Sequence, residues 1–241
     1  MQHPGGAPPP EPPPTLESVA GLLEHTLLRP DLPNEFIYQA CLAAREYGLA
    51  AVVVRPCDAE AAVRWLAGSP VRVAAVVGYP YGYSTTATKL YEGRDLLRMG
   101  VQELDFVLSA PAMVARQFQH VETELVQIVE SAHQKAATVK IVFNNRFLAD
   151  DLKIIGTKIA KRVESDYLSI DYRETDLAIF KPLLKDVLKL KCAGPVDTLS
   201  EVLAMKEANF QRIGTTAPAT ILEDWKKHLA SLEPAAPALP S

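Results

Sequence analysis

Short apolar runs recur along the chain, and each is followed by a longer stretch in which apolar residues return at helical spacing. The runs are Leu22–Leu27, Ala50–Val54, Val71–Val77, Glu103–Leu108, Val139–Phe143, Tyr167–Ile170, Leu188–Lys191 and Arg212–Gly214. Nearly every position in them is apolar and many are β-branched, the pattern of strands buried on both faces of a parallel sheet. In Asn34–Tyr47, by contrast, Phe36, Ile37, Ala40, Cys41 and Ala44 share one helical face, and Gly48 follows as a stop. Asp58 is placed to cap a helix over 59–66. Further helices are expected over 86–99, from Pro111 unbroken to about Lys135, and over 150–162, 174–187, 197–208 and 218–229.

Alternating strands and helices with short connections require a parallel sheet. Eight such units within 241 residues imply closure into a single (β/α)8 TIM barrel of the α/β class, over residues 16–230. The Pro-rich residues 1–15 and the Pro/Ala-biased residues 231–241 are expected to be loose tails. Met1–Pro14 lacks the basic start and apolar stretch of a secretory signal.

That architecture locates the chemistry, because such barrels carry their sites at the C-terminal ends of the strands. Asp105 interrupts an apolar run, and a buried carboxylate needs a cation beside it. Lys191, at the end of its strand, is the obvious partner, able to act as acid, electrostatic stabiliser or amine nucleophile. Both are the candidate catalytic residues. Lys140, at the start of its strand, points into the barrel lower down if it points inward at all. Strand-end polar residues Glu24, Asn144, Asn145, Ser169, Asp171, Tyr172 and Thr215 are the candidate substrate-binding residues.

Composition narrows the alternatives. Formal net charge is −4 and aromatics make up 7%, so neither a basic nucleic-acid footprint nor a stacking platform for single strands is expected. No apolar run approaches the length of a membrane span. Cys41, Cys57 and Cys192 form no C-x-x-C pair and read as reduced thiols of a cytoplasmic protein, with Cys192 of interest beside Lys191. The five histidines have no metal-ligand spacing, and no dinucleotide or P-loop motif occurs, so neither a metal nor a cofactor is called for.

Several segments resemble one family. Glu24-His25-Thr26-Leu27-Leu28-Arg29-Pro30 resembles the D-H-T-L-L-K-P opening of deoxyribose-phosphate aldolases. Val77-Gly78-Tyr79-Pro80-Tyr81-Gly82 followed by Thr85-Thr86-Ala87-Thr88-Lys89 resembles I-G-F-P-x-G-x-x-T-T-x-x-K. Glu103-Leu104-Asp105 is similar to E-[IV]-D, and Arg212-Ile213-Gly214-Thr215 to R-[IF]-G-[TA]. The resemblance implies a barrel aldolase in which a sixth-strand lysine of a K-T-S-T-G motif forms an imine. A seventh-strand lysine lowers that lysine's pKa, and a fourth-strand aspartate relays protons.

The sixth strand here departs from that pattern. It reads Asp166-Tyr167-Leu168-Ser169-Ile170-Asp171-Tyr172-Arg173, with Ser169 at the imine position, and a hydroxyl cannot form an imine. Lys191-Cys192-Ala193-Gly194-Pro195-Val196-Asp197 matches K-x-[AS]-G-G-[IV]-R except that Pro195 replaces a glycine and Asp197 an arginine. The family's Ser-Ser becomes Thr216-Ala217, and its I-I-E becomes Val142-Phe143-Asn144. Proline removes a donor and aspartate adds repulsion, so the family's phosphate cradle is expected to be eroded.

Three readings follow. The first is a divergent aldolase-like enzyme doing acid–base or Lys191-imine chemistry (aldol or retro-aldol, enolisation, cyclisation) on a non-phosphorylated small-molecule carbonyl substrate. The second is a catalytically inactive binding protein on the same fold. The third is a standard aldolase with strand six misread, its lysine being Lys161 or Lys181 of the flanking helices. Retention of Asp105 and Lys191 favours the first. The polar strand ends are expected to make an uncharged-to-acidic pocket, suited to a neutral or cationic substrate. The resemblance leaves a homodimer open.

Overall fold

Eight parallel strands close on themselves in sequence order in the computed structural model, which describes residues 14–184 and 187–232. They are β1 (Leu23–Leu27), β2 (Ala51–Val54), β3 (Arg72–Val77), β4 (Glu103–Val107), β5 (Thr138–Phe143), β6 (Tyr167–Ile170), β7 (Lys189–Cys192) and β8 (Arg212–Thr215). The helices are α1 (Leu16–Ala20), α2 (Asn34–Tyr47), α3 (Ala59–Trp65), α4 (Thr86–Met99), α5 (Ala110–Val114), α6 (Phe118–His133), α7 (Asp150–Arg162), α8 (Glu174–Leu184), α9 (Leu199–Glu207) and α10 (Pro218–Leu232). The eight-stranded barrel expected from the alternating pattern is therefore the fold. Residues 1–13 and 233–241, the bulk of the expected tails, lie outside the described residues, as do 185 and 186.

Local chemistry explains where the helices start and stop. The Thr85 hydroxyl accepts the Thr88 N–H at the start of α4, and Gly100 ends it in the left-handed conformation. Thr198 and Glu201 form a reciprocal capping box that starts α9 at Leu199. The expected unbroken helix from Pro111 is two helices. Arg116 adopts φ 56 between α5 and α6, a backbone state that stops a right-handed helix and that apolar periodicity does not reveal. Asp58 does not cap α3, because its carboxylate is taken by Arg55 at 2.5 Å. The short helix α1, not anticipated, packs against α10 through buried Val19 and Ala20.

Alternation along each strand divides the core in two. Residues such as Val52, Leu104, Ile141 and Ile170 point outward into one continuous cluster under the helices. Inside the barrel, Val53, Ala74 and Val76 form a small separate apolar cluster on β2 and β3. Beside it lies a charged layer. Glu24, Glu103, Asp105, Lys140 and Lys191 are all buried there, with Arg212 closing the lower edge. Among the described residues no helix is long and apolar enough to cross a membrane.

Candidate active site

Strand register sets the site. Asp105 on β4 pairs with Lys140 on β5, while Ser169 on β6 lies level with Lys191 on β7 and Val142 on β5. Lys191 reaches across the barrel and donates to Asp105 Oδ2. The same ammonium lies 2.5 Å from Glu24 Oε2. Lys140, one level down, lies 2.7 Å from Glu24 Oε1, 2.5 Å from Glu103 Oε2 and 3.3 Å from Asp105 Oδ1. Arg212 completes the lower layer, 3.2 Å from Glu24 and 3.1 Å from Glu103.

Three buried carboxylates thus face three cations, with the exposed Arg72 also reaching Glu103 at 3.6 Å, the paired arrangement in which buried charge is tolerated. Burial works to raise the Glu24 carboxyl, but Lys140, Lys191 and Arg212 overcome it and hold Glu24 well below the ordinary glutamate value. Burial likewise works to lower Lys140. Asp105, Glu103 and Glu24 outweigh it, so Lys140 is held above the ordinary lysine value and stays an ammonium. Lys140 is fully buried beneath the cavity and is not among the residues that line it.

Above this floor opens a cavity of about 540 Å³, within the range of small-molecule sites. Asp105, Asn144, Ser169, Asp171 and Lys191 line it, and Lys191 is its one lysine among the described residues. Ser169 Oγ is fully buried and has no hydrogen-bond partner, so a donor or acceptor in the cavity has a place to bind.

Of the other candidate binding residues, Glu24, Asn145, Tyr172 and Thr215 do not line the cavity. Glu24 sits beneath the floor, because it is the second residue of β1 rather than its last. Asn145 is buried as a brace, donating to Asp171 O at 3.1 Å and Asp176 Oδ2 at 2.6 Å, and accepting from Asp171 N at 2.9 Å. Tyr172 turns outward against Phe210, with ring centroids 6.2 Å apart. Thr215 donates to Asp197 Oδ1 at 3.0 Å and accepts from Ala217 N at 3.0 Å. Asn144 does line the cavity, but its amide is committed to Pro80 O at 3.1 Å.

The lining also includes residues that strand-end reasoning missed, namely Arg29, Tyr79, Tyr81, Arg146 and Phe147. Two arginines from the loops after β1 and β5 mean that the wall is not the uncharged-to-acidic surface expected. Arg146 pairs with Asp171 at 3.1 Å and Arg29 with Asp31 at 2.5 Å. The run of tyrosines after β3 was the visible signal for the aromatic part of this rim. Cys192 faces the outer core, and burial pushes its thiol up and that of Cys41 to about 12, so both are inert thiols. Lys161 donates to Leu183 O at 2.7 Å between α7 and α8, and Lys181 is exposed on α8. Neither lines the cavity, which removes the reading in which one of them is the barrel's lysine.

A closed (β/α)8 barrel with a lysine and an aspartate meeting on the cavity floor defines an aldolase-type barrel protein. More particularly, the chain belongs to the deoxyribose-phosphate aldolase family. It is 30% identical over 220 residues to deoxyribose-phosphate aldolase of Bacteroides thetaiotaomicron, covering 88% of this chain and 92% of that protein. The protein of the same name from Aciduliprofundum boonei is 30% identical over 212 residues, covering 85% and 96%. Among solved structures, an aldolase designated QR15 superposes with a TM-score of 0.83 at 26% identity, covering 89% of this chain and 99% of that one. The tetrameric deoxyribose phosphate aldolase of Aeropyrum pernix shares the fold with a TM-score of 0.80 at 22% identity, covering 89% and 93%. No family model matches the chain.

Proposed function

We propose that the protein is a divergent carbon–carbon lyase that acts on a non-phosphorylated carbonyl compound through Asp105 and Lys191, without an imine on β6. One observation carries this reading. Lys191 is the cavity's lysine among the described residues, and its Nζ lies in contact with the carboxylate oxygens of both Asp105 and Glu24, beside a serine hydroxyl with nothing to bind. An amine between two carboxylates serves as a cation and proton donor rather than as a free nucleophile.

In the cleavage direction, Asp105 accepts the proton of a β-hydroxyl and the Cα–Cβ bond breaks. Its electron pair passes to the carbonyl oxygen, and Lys191 gives that oxygen a proton, leaving an enol and a second carbonyl product. Asp105 then returns its proton to Lys191 through their direct contact, which resets the pair. Ser169 orients the carbonyl oxygen by hydrogen bonding. Enolisation uses the same two groups, with Asp105 taking the α-proton.

The full mutual pairing of Glu24, Asp105 and Lys191 also supports a second reading, ligand binding without turnover. Borohydride treatment with a panel of aldehydes, followed by mass mapping, separates the readings. The acid–base reading predicts turnover of a carbonyl substrate with no adduct on Lys191, abolished in Asp105→Asn. An adduct on Lys191 establishes a covalent route instead. Binding with no turnover of any carbonyl compound leaves the binding protein, and cleavage of deoxyribose 5-phosphate at ordinary rates overturns the non-phosphorylated substrate.

A further inference from the structure

The two sides of the cavity mouth are built differently. On one side Tyr79, Tyr81 and Phe147 line the cavity while remaining 55%, 45% and 54% exposed. Tyr83 extends the group, stacked on Tyr81 at 5.8 Å, and Phe147 meets Tyr81 edge-on at 6.0 Å. Large aromatic side chains left half in water at a cavity rim are surface held ready for an apolar partner.

These rings are held in place by the loops that carry them. Gly82, at φ 68, presses the β3–α4 loop against the end of β4, where any Cβ would lie 2.4 Å from Leu108 O. Only glycine fits there. The Asn144 amide donates to Pro80 O and so ties the loop bearing Phe147 to the loop bearing Tyr81. The aromatic wall is therefore pre-assembled from two strand ends and opens onto the same cavity as Asp105 and Lys191.

The opposite side, after β7 and β8, is where barrels of this type often hold phosphate, on loop amides and a helix N-terminus. Here the chain's own carboxylate fills that role. Asp197 accepts from Thr216 N at 2.7 Å, Thr216 Oγ1 at 2.9 Å and Thr215 Oγ1 at 3.0 Å. Val196 N is bound to Gly214 O at 3.0 Å, and Pro195, which faces the cavity, has no N–H. A second anion at this corner meets a fixed negative charge and few free donors. The rim arginines Arg29 and Arg146 are paired with Asp31 and Asp171.

We propose that the carbonyl substrate carries an uncharged aromatic or similarly flat apolar group at its far end, seated against Tyr79, Tyr81 and Phe147, while Asp197 closes the opposite rim to phosphate. The proposal rests on the reading above only for the substrate's reacting end, and its test needs no turnover.

The test is binding to the full chain of 4-phenylbutan-2-one, butan-2-one and inorganic phosphate, followed by titration calorimetry and saturation-transfer NMR. The phenyl ketone is expected to bind at least tenfold more tightly than butan-2-one, with the strongest saturation on its ring protons. The double variant Tyr81→Ala/Phe147→Ala removes only exposed side chains, and the tenfold preference is expected to disappear in it. Phosphate at millimolar concentration is expected not to compete in the wild type. The proposal is overturned if the wild type shows no ring preference, if the preference survives in the double variant, or if phosphate displaces the ketone. It is also overturned if sedimentation shows a wild-type dimer that the double variant dissolves, since the rings then belong to an interface between copies. Ring-dependent binding with no turnover sinks the lyase reading and leaves this one standing; turnover without ring dependence does the reverse.

Discussion

Lys191 on β7 and Asp105 on β4, 86 residues apart in the chain, meet in one hydrogen bond across the barrel floor. Two strands separate β7 from β4, so the contact exists only because the sheet closes. Glu24 binds the same ammonium from below and couples the pair to Lys140 and Arg212. The Asp105–Lys191 pair on the cavity floor is thus the top layer of a buried charge network, and substitutions in it are expected to affect stability as well as the proposed chemistry.

Lys191→Met tests that coupling. It leaves Glu24 and Asp105 short of a cation inside the barrel, and breaking a buried pair in this way costs about 3–5 kcal/mol. Chemical denaturation is expected to show a loss of that order. A change under about 1 kcal/mol, no more than an exposed pair contributes, contradicts the network as drawn.

Ser169→Ala is expected to behave in the opposite way. Its hydroxyl has no partner to lose, so the unfolding free energy should be unchanged or slightly raised. Affinity for a carbonyl ligand should fall by one hydrogen bond, about 1 kcal/mol or roughly fivefold. Equal affinity in calorimetry, or a clear loss of stability, places the hydroxyl elsewhere than proposed.

Acid sensitivity is expected to begin with His25. Burial pushes this imidazole from 6.5 down to about 4, against weaker opposing effects of Thr216 and Asp197. The unfolded chain therefore takes up a proton first as pH falls. The stabilisation is fully present above pH 6.5 and is lost progressively down to about pH 4, amounting to something on the order of 3 kcal/mol. Glu24, depressed below its ordinary 4.5, adds a further loss as pH falls below that value. Thermal melts across this range should show Tm falling from about pH 6.5, and His25→Gln should flatten the upper part of the fall. A wild-type Tm that stays level down to pH 5 refutes this account.

How much of this was legible beforehand depends on the range of the interaction. The eight strands could be read because β-branched runs and helical periodicity are local, and closure followed from their number. The meeting of Asp105 and Lys191 was readable because a carboxylate inside an apolar strand demands a cation. Glu24 and Tyr172 were misjudged for a different reason. Their strands end at Leu27 and Ile170 as expected, but Glu24 lies three residues before its strand's end and so falls below the cavity, and Tyr172 lies two residues past its own, in a loop whose turn toward Phe210 has no local signal. The break at Arg116 depends on one positive φ that leaves no apolar signature. Asp197 read only as repulsion because its role as the anion bound by Thr215 and Thr216 needs β7 and β8 side by side.

The most direct test of the central claim is deuterium wash-in at the α-carbon of butan-2-one in heavy water, followed by proton NMR at high ketone concentration. Asp105 acting as base with Lys191 as proton donor predicts exchange catalysed by the wild type well above the buffer rate, and falling by at least about 100-fold in Asp105→Asn. Exchange at the buffer rate in the wild type, or undiminished exchange in Asp105→Asn, would contradict the claim that this pair still does carbonyl chemistry.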